Sequence, residues 1–319
     1  MADGPALAVQ AVPALRVLEP GWQSLVVDFG RPGARSLGVP VGGAADRHAL
    51  VLGNALVGNP PNTTALEISL TGPHLEVLCP LAGVVYGASF ALASSRQTLR
   101  LGTTFNLQPG ERIRVGGVAS GLRAYLCVPG GFATPLVLGS RSALTPLTAG
   151  DVLHAPPSTL PTRFIRPRFT WDREPGTLRC LPGPQADWFR LDELHQQQFT
   201  VTPASNRMGL RLRGQPLTVS GRELVSEPVC PGSVQVTHEG QCIILGVDGQ
   251  TIGGYPKIAQ VITADLDKLG QLRPGDALRL VPVRHDEAEA ILRQKEAEMS
   301  TWVMRLRVTL PDRHMVVSL

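Results

Sequence analysis

A chain of 319 residues with 43% hydrophobic and 18% charged side chains has a globular composition and enough length for two domains of ordinary size. Its formal charge is only +4, all but three of its 30 basic residues are arginine, and no basic stretch is interleaved with aromatics. That pattern argues against a nucleic-acid partner. No apolar run is long enough to span a bilayer, and residues 1–15 lack a basic start. The five cysteines form no CxxC pair and mostly sit in apolar runs, so reduced thiols in a cytoplasmic protein with no membrane contact are expected.

The 34 glycines and 28 prolines are scattered among β-branched residues, which predicts many short strands joined by tight turns and few helices. In chain order, the first notable segment is DFGRPGARSLGVPVGGAAD (28–46). Its Arg31 suits a carboxylate or phosphate, with Asp28 as the alternative partner inside the protein. A short helix is expected over 46–57, capped by Asp46. Asn54 and Asn59 suit caps or turns, and Glu67, between Leu66 and Ile68, is placed by alternation on a solvated strand face.

Further along, AYLCVPGGFATP (124–135) leads to LTAGDVL (147–153), and CIILGVDGQTIGGYPKIA (242–259) leads to LRPGDALRL (272–280). Each pairs an apolar strand and a Gly-Gly-aromatic turn with a Gly-Asp turn about twenty residues later. LTGPHLEV (70–77) and LRGQPLTV (212–219) also correspond, so the chain reads as two related β-domains. Four prolines in HAPPSTLPTRFIRPRF (154–169) put the boundary near 154–175. Short helices are also expected over 185–198 and 258–269, and an amphipathic one over 285–299.

The polar residues gather in four places: 28–46, 53–73, the loop tip Ser205-Asn206-Arg207, and the stretch 246–257 with Gln235 just upstream. In the last, Gly253-Gly254 would let backbone N–H groups face a ligand, with Asp248, Thr251, Tyr255 and Lys257 around it. Lys257 would serve as a cation or, if desolvated, as a base. The histidines are dispersed, and neither a metal-ligand spacing nor a Walker A, a GxSxG elbow or a biotin-accepting Met-Lys-Met occurs.

Ten ordered segments make residues 16–283 resemble a known family: DFGRPGARSLGVPVGGAAD, GNALVGNP, ALEISLTGP, AYLCVPGGF, VLGSRS, LPGPQADWF, SNRMGLRLRG, GSVQV, GGYPKIAQVITADL and QLRPGD. This is the carboxyltransferase-domain family, which includes the C subunit of the bacterial 5-oxoprolinase, allophanate hydrolase subunit 2, a sporulation-kinase-inhibitor antagonist, and part of urea carboxylase. The resemblance implies a mainly β fold of two cyclophilin-like β-barrel domains, 16–160 and 175–283, with a cleft between them and a C-terminal helix and tail at 284–319. It implies a subunit, inactive alone, of an ATP-dependent amide-ring hydrolase that converts 5-oxoproline to glutamate. Its partners would be the B-like and A-like subunits of that enzyme, and ATP would be used through the complex. A biotin-dependent, urea carboxylase-like carboxyltransferase is the alternative, and a non-catalytic regulator of the partner barrel subunit is a third. Asp46, Asp248 and Lys257 are the expected catalytic residues. Arg31, Asn54, Glu67, Arg207, Gln235, Thr251, Gly253, Gly254 and Tyr255 are the expected substrate contacts.

The chain departs from the family pattern in loops. Val27 stands where the family has Gln, and Gly42 and Ala45 stand where it has Ser and Met. A Gly-rich stretch is cut to LTAGD, and Gly249 replaces an arginine. Loops are where ligand contacts concentrate, so these changes point either to altered substrate choice or to a partner role without catalysis.

Overall fold

The computed structural model describes residues 10–165, 176–219 and 221–308. The first half runs β1 (Val12–Glu19), β2 (Gln23–Val27), α1 (Arg47–Leu56), β3 (Ala65–Ser69), β4 (His74–Val77) and β5 (Leu81–Gly87). It continues with β6 (Phe90–Ser94), β7 (Phe105–Leu107), β8 (Arg112–Val118), β9 (Arg123–Cys127) and β10 (Val152–Ala155). The second half opens with β11 (Thr177–Pro182), α2 (Leu191–His195), β12 (Phe199–Val201), β13 (Gly209–Arg213) and β14 (Glu227–Pro228). It then has β15 (Ser233–Val236), β16 (Cys242–Leu245), β17 (Ile252–Gly253), β18 (Lys257–Val261), α3 (Leu266–Leu269) and β19 (Ala277–Pro282). Helix α4 (His285–Val308) follows.

The mainly β expectation holds. The second half closes into a seven-stranded barrel in the order β11-β18-β15-β16-β13-β12-β19, with β11 and β19 pairing in parallel to shut it. In the first half the strands divide into two five-stranded sheets, β10-β1-β4-β8-β6 and β2-β3-β9-β5-β7. Leu15, Leu75 and Ile113 from one sheet and Leu66, Ile68 and Leu126 from the other fill a shared core. The opposite face of the second sheet is covered too, by Leu50, Leu52 and Leu56 of α1, against Val27, Val84 and Cys127. Burial on both faces explains why β3, β5 and β9 read as nearly continuous apolar runs rather than alternating ones.

The two Gly-Asp turns share one geometry, as the repeat anticipates. Asp151 accepts from the Thr148 N–H at 2.7 Å, and Asp276 accepts from the Arg273 N–H at 2.8 Å. Gly150 and Gly275 have φ of 93° and 94°, a conformation that favours glycine. Part of the expected boundary, 166–175, lies outside the described residues.

Three helix expectations change. Within 258–269 the first residues are strand β18, because Ile258, Ala259 and Val261 face the barrel core; only 263–269 is helical. Over 185–198 the helix is a 3-10 turn and the five residues of α2. The last helix reaches Val308, since Trp302, Val303 and Leu306 pack onto the α1 cluster. All five cysteines are free, and Cys230 alone among them is exposed. Among the described residues, no helix is long and apolar enough to cross a membrane.

Candidate active site

The two halves meet across a buried set of charges. Strand alternation does turn Glu67 away from Leu66 and Ile68, as expected, but that face is covered rather than solvated, and Glu67 is 1% exposed. This corrects the solvated placement. Its cross-strand partner is Tyr125, whose hydroxyl donates to Glu67 Oε2 at 2.7 Å, while the Ala45 N–H donates to the same oxygen at 2.9 Å. Arg207 enters from the barrel. Its Nη1 donates to Glu67 Oε1, its Nη2 to the Gly43 carbonyl at 2.7 Å, and its Nε and Nη2 to both oxygens of Asp248 at 2.6 and 2.9 Å. Arg123 completes the group, with Nε 3.4 Å from Glu67 and Nη1 donating to the Gly270 carbonyl at 2.5 Å.

The electrostatics follow from burial and pairing. Burial alone would raise the Glu67 carboxyl, but Arg207 and Arg123 outweigh it and hold the group below the usual carboxylate range. Arg207 is likewise kept protonated against its burial by Glu67 and Asp248. Asp46 behaves in the opposite way. Burial and the nearby Asp267 charge push it up to about 7. It is the cap expected from the sequence, accepting from the Ala49 N–H at 2.9 Å, and its other oxygen accepts from Gln271 Nε2 at 2.7 Å. Gln271 also accepts from the Leu122 and Arg123 N–H groups, so one barrel side chain is stitched into the start of β9.

Beside these charges lies a cavity of about 1060 Å³ between the two halves and α4. Its wall is largely apolar, with Val41, Val51, Leu245, Ile262, Leu292 and Met299, and it carries Arg123, Arg207, Asn206, Asp267 and Lys295 as polar points. An apolar enclosure with a few convergent polar groups and perturbed carboxyls is the usual form of a small-molecule site. Since Arg207 has protein acceptors on three of its nitrogens, it fixes the 43–46 and 246–248 loops. The two guanidinium groups of the cavity wall, Arg123 and Arg207, are matched by the carboxylates of Glu67 and Asp248.

The sequence-predicted residues fall into separate groups. Glu67, Arg207, Asp248 and Asp46 come together as described. Arg31 lies next to them across Gly42, whose N–H donates to the Val247 carbonyl at 2.8 Å, but its guanidinium donates to the carbonyls of Val137 and Ser142, not to Asp28. Asp28 instead accepts from Ser140, Ser142 and the Arg141 and Gly30 N–H groups. Asn54 is fully buried, donating to the Pro61 and Thr63 carbonyls and accepting from Asn59, so its side chain holds the loop after α1.

Lys257 forms a different cluster and does not line the cavity. It is paired with Glu227, whose carboxyl it holds below the usual range. Gln185 bridges the two, accepting from the Lys257 N–H at 2.9 Å and donating to Glu227 at 2.8 Å. Gly253 pairs with Glu227 in the β14–β17 ribbon, and neither Gly253 nor Gly254 has a positive φ. A Cβ at 253 would lie 2.7 Å from the side-chain nitrogens of Gln235 and Gln250, which are the ends of flexible side chains and can move aside. Thr251 is buried and accepts from the Val229 N–H through its carbonyl, and Tyr255 meets His238 edge-on at 5.5 Å.

Arg123, Tyr125, Gln271, Gln185 and Glu227 are the members of these clusters that sequence reasoning missed. Arg123 and Tyr125 alternate with Ala124 and Leu126 on β9, which was the available signal; Gln271 lies in a turn and Glu227 in the two-residue strand β14, and neither carries one.

The pattern of carboxyltransferase domain, subdomains A and B, matches residues 37–282, and the chain belongs to that family. It is 34% identical over 293 residues to the 5-oxoprolinase C subunit of Escherichia coli (strain K12), covering 86% of this chain and 93% of that one. The corresponding figures for the 5-oxoprolinase C subunit of Haemophilus influenzae are 32% over 296 residues, 88% and 94%. Among solved structures, the K. lactis urea amidolyase superposes with a TM-score of 0.80 at 26% identity over 92% of this chain, which corresponds to 20% of that longer chain.

Proposed function

We infer that the chain is a C-type subunit of an ATP-dependent 5-oxoprolinase, opening the lactam of 5-oxoproline to glutamate together with B-like and A-like partner subunits. The observation that carries this reading is similarity across 93% and 94% of two 5-oxoprolinase C subunits, at higher identity than the urea amidolyase match. In this reading the small acid enters the cavity between the halves. Arg123 and Arg207 stand on its wall, held by Glu67 and Asp248, while Asp46, with its raised pKa, is buried behind that wall as the cap of α1 and does not itself line the cavity. ATP is handled through the complex. Lys257, paired to Glu227 outside the cavity, has a supporting part in the barrel.

The test is reconstitution. The purified chain is expected to be inactive alone, and glutamate should form from 5-oxoproline with ATP hydrolysis once both partners are added. Biotin-dependent carboxylation of urea by a reconstituted complex, with no 5-oxoproline turnover, would replace this reading with the urea carboxylase-like one.

A further inference from the structure

The family pattern ends at residue 282, and α4 begins three residues later. Yet this helix, outside the matched domain, forms one side of the cavity through Ala288, Leu292, Lys295 and Met299. Its 24 residues span about 36 Å at the helical rise, enough to cross from the barrel, where β19 delivers it, to the first half. There Met299, Trp302, Val303 and Leu306 join the cluster of Leu50, Leu56 and Tyr86, and Arg163 donates to the Leu306 carbonyl.

The C-terminal end of α4 is therefore held differently from the rest of it. Between 285 and 298 the helix is exposed or half-buried, and most of its charges face water or one another, as in Arg293–Glu289. Lys295 turns inward. Its Nζ donates to the Ala264 carbonyl at 2.6 Å and to Asp267 Oδ2 at 2.7 Å, and Asp267 Oδ1 accepts from the Arg47 N–H at 3.1 Å. One side chain thus ties the helix to the barrel and, through Asp267, to the start of α1. The cavity beneath is at the upper end of the usual range for ligand pockets, far larger than an amino-acid-sized acid requires. The position of this roof decides how tightly such a ligand is enclosed.

We propose that α4 is a movable roof of the substrate site, and that Lys295 is the positioning residue that latches it over the cavity. This rests on the reading above that the small acid binds there. Replacing Lys295 by Met keeps the stem and removes both hydrogen bonds.

Amide hydrogen exchange on the full chain should then speed up by at least about tenfold across 285–298, with 302–308 unchanged, the size expected for losing the charge-assisted contact to Asp267 together with the bond to Ala264. In the reconstituted complex the KM for 5-oxoproline should rise by about tenfold because enclosure is lost, and any change in kcat follows from the Lys295 charge that also acts on Asp46. Lys295→Arg should recover much of both. Unchanged exchange in Lys295→Met overturns the latch, and faster exchange with an unchanged KM overturns the roof as part of the site. If the wild-type complex does not turn over 5-oxoproline, the functional reading fails, while the exchange measurement still decides whether Lys295 holds the helix.

Discussion

Glu67 is where one side chain has most to lose. Its carboxylate is 1% exposed and faces two guanidinium groups, so Glu67→Gln leaves Arg207 and Arg123 short of countercharge in a buried place. A loss of about 3–5 kcal/mol is expected by denaturant titration; a loss below about 1 kcal/mol would show that the junction is well hydrated. The pH dependence follows from sign. Glu67 is depressed in the fold, so its contribution is present above its unfolded value of 4.5 and is lost as pH falls through the lower folded value. Asp46 is raised from 3.8 to about 7, so between those values the native state holds a proton that the unfolded chain has released. Stability from this group therefore falls as pH rises through that window and levels off above it. Asp46→Asn keeps a capping oxygen but sets its amide against the Gln271 donor, giving a lower baseline. It should lack the fall, on the order of 2 kcal/mol, between pH 5 and pH 8. A parallel fall in wild type and variant would move that proton to another group.

The elements are brought together by close backbone approaches as much as by charges. Gly270, at the end of α3, packs on the turn before α1: a Cβ there would lie 2.5 Å from the Ala45 carbonyl oxygen and 3.1 Å from the Asp46 nitrogen. Its own φ of −64° suits any residue, so the glycine is required by the neighbour and not by its conformation. Gly270→Ala must push α3 away from α1, stretching the Gln271–Asp46 and Arg123–Gly270 hydrogen bonds together. The expected cost is about 1–3 kcal/mol in thermal or urea unfolding. A variant as stable as the wild type would mean that the two elements slide past each other freely.

Across the whole molecule, the first half and the barrel each have a core, yet Arg207, Gln271 and α4 cross between them. Coupling of this kind makes two cores unfold as one unit. Calorimetry of the wild type should give a single transition. Arg207→Met strands Glu67 and Asp248 on opposite sides of the junction and should split that transition in two, with the less stable half melting first. One peak at an unchanged temperature in the variant would leave Arg207 with no part in the coupling.

Much of this was legible along the chain, because the information is local. Turn glycines, Gly-Asp punctuation and strand-length apolar runs are set by backbone sterics and solvation, and they predicted a mainly β, two-part molecule with an Asp46 cap and a C-terminal helix. The membership of the site was only half legible. Asp248 and Lys257, nine positions apart, read as one cluster, but the chain turns through β17 between them and delivers one to Arg207 and the other to Glu227. Alternation turned Glu67 correctly but could not reveal that barrel and helix would cover that face. Arg123, Gln271 and Lys295 have unremarkable neighbours in sequence and gain their roles from partners on other elements, 56, 225 and 28 residues away respectively. Which charge loses its water, and which opposite charge replaces that water, is decided only when distant segments pack. Tertiary structure alone therefore converts these scattered polar residues into one junction and a roofed cavity.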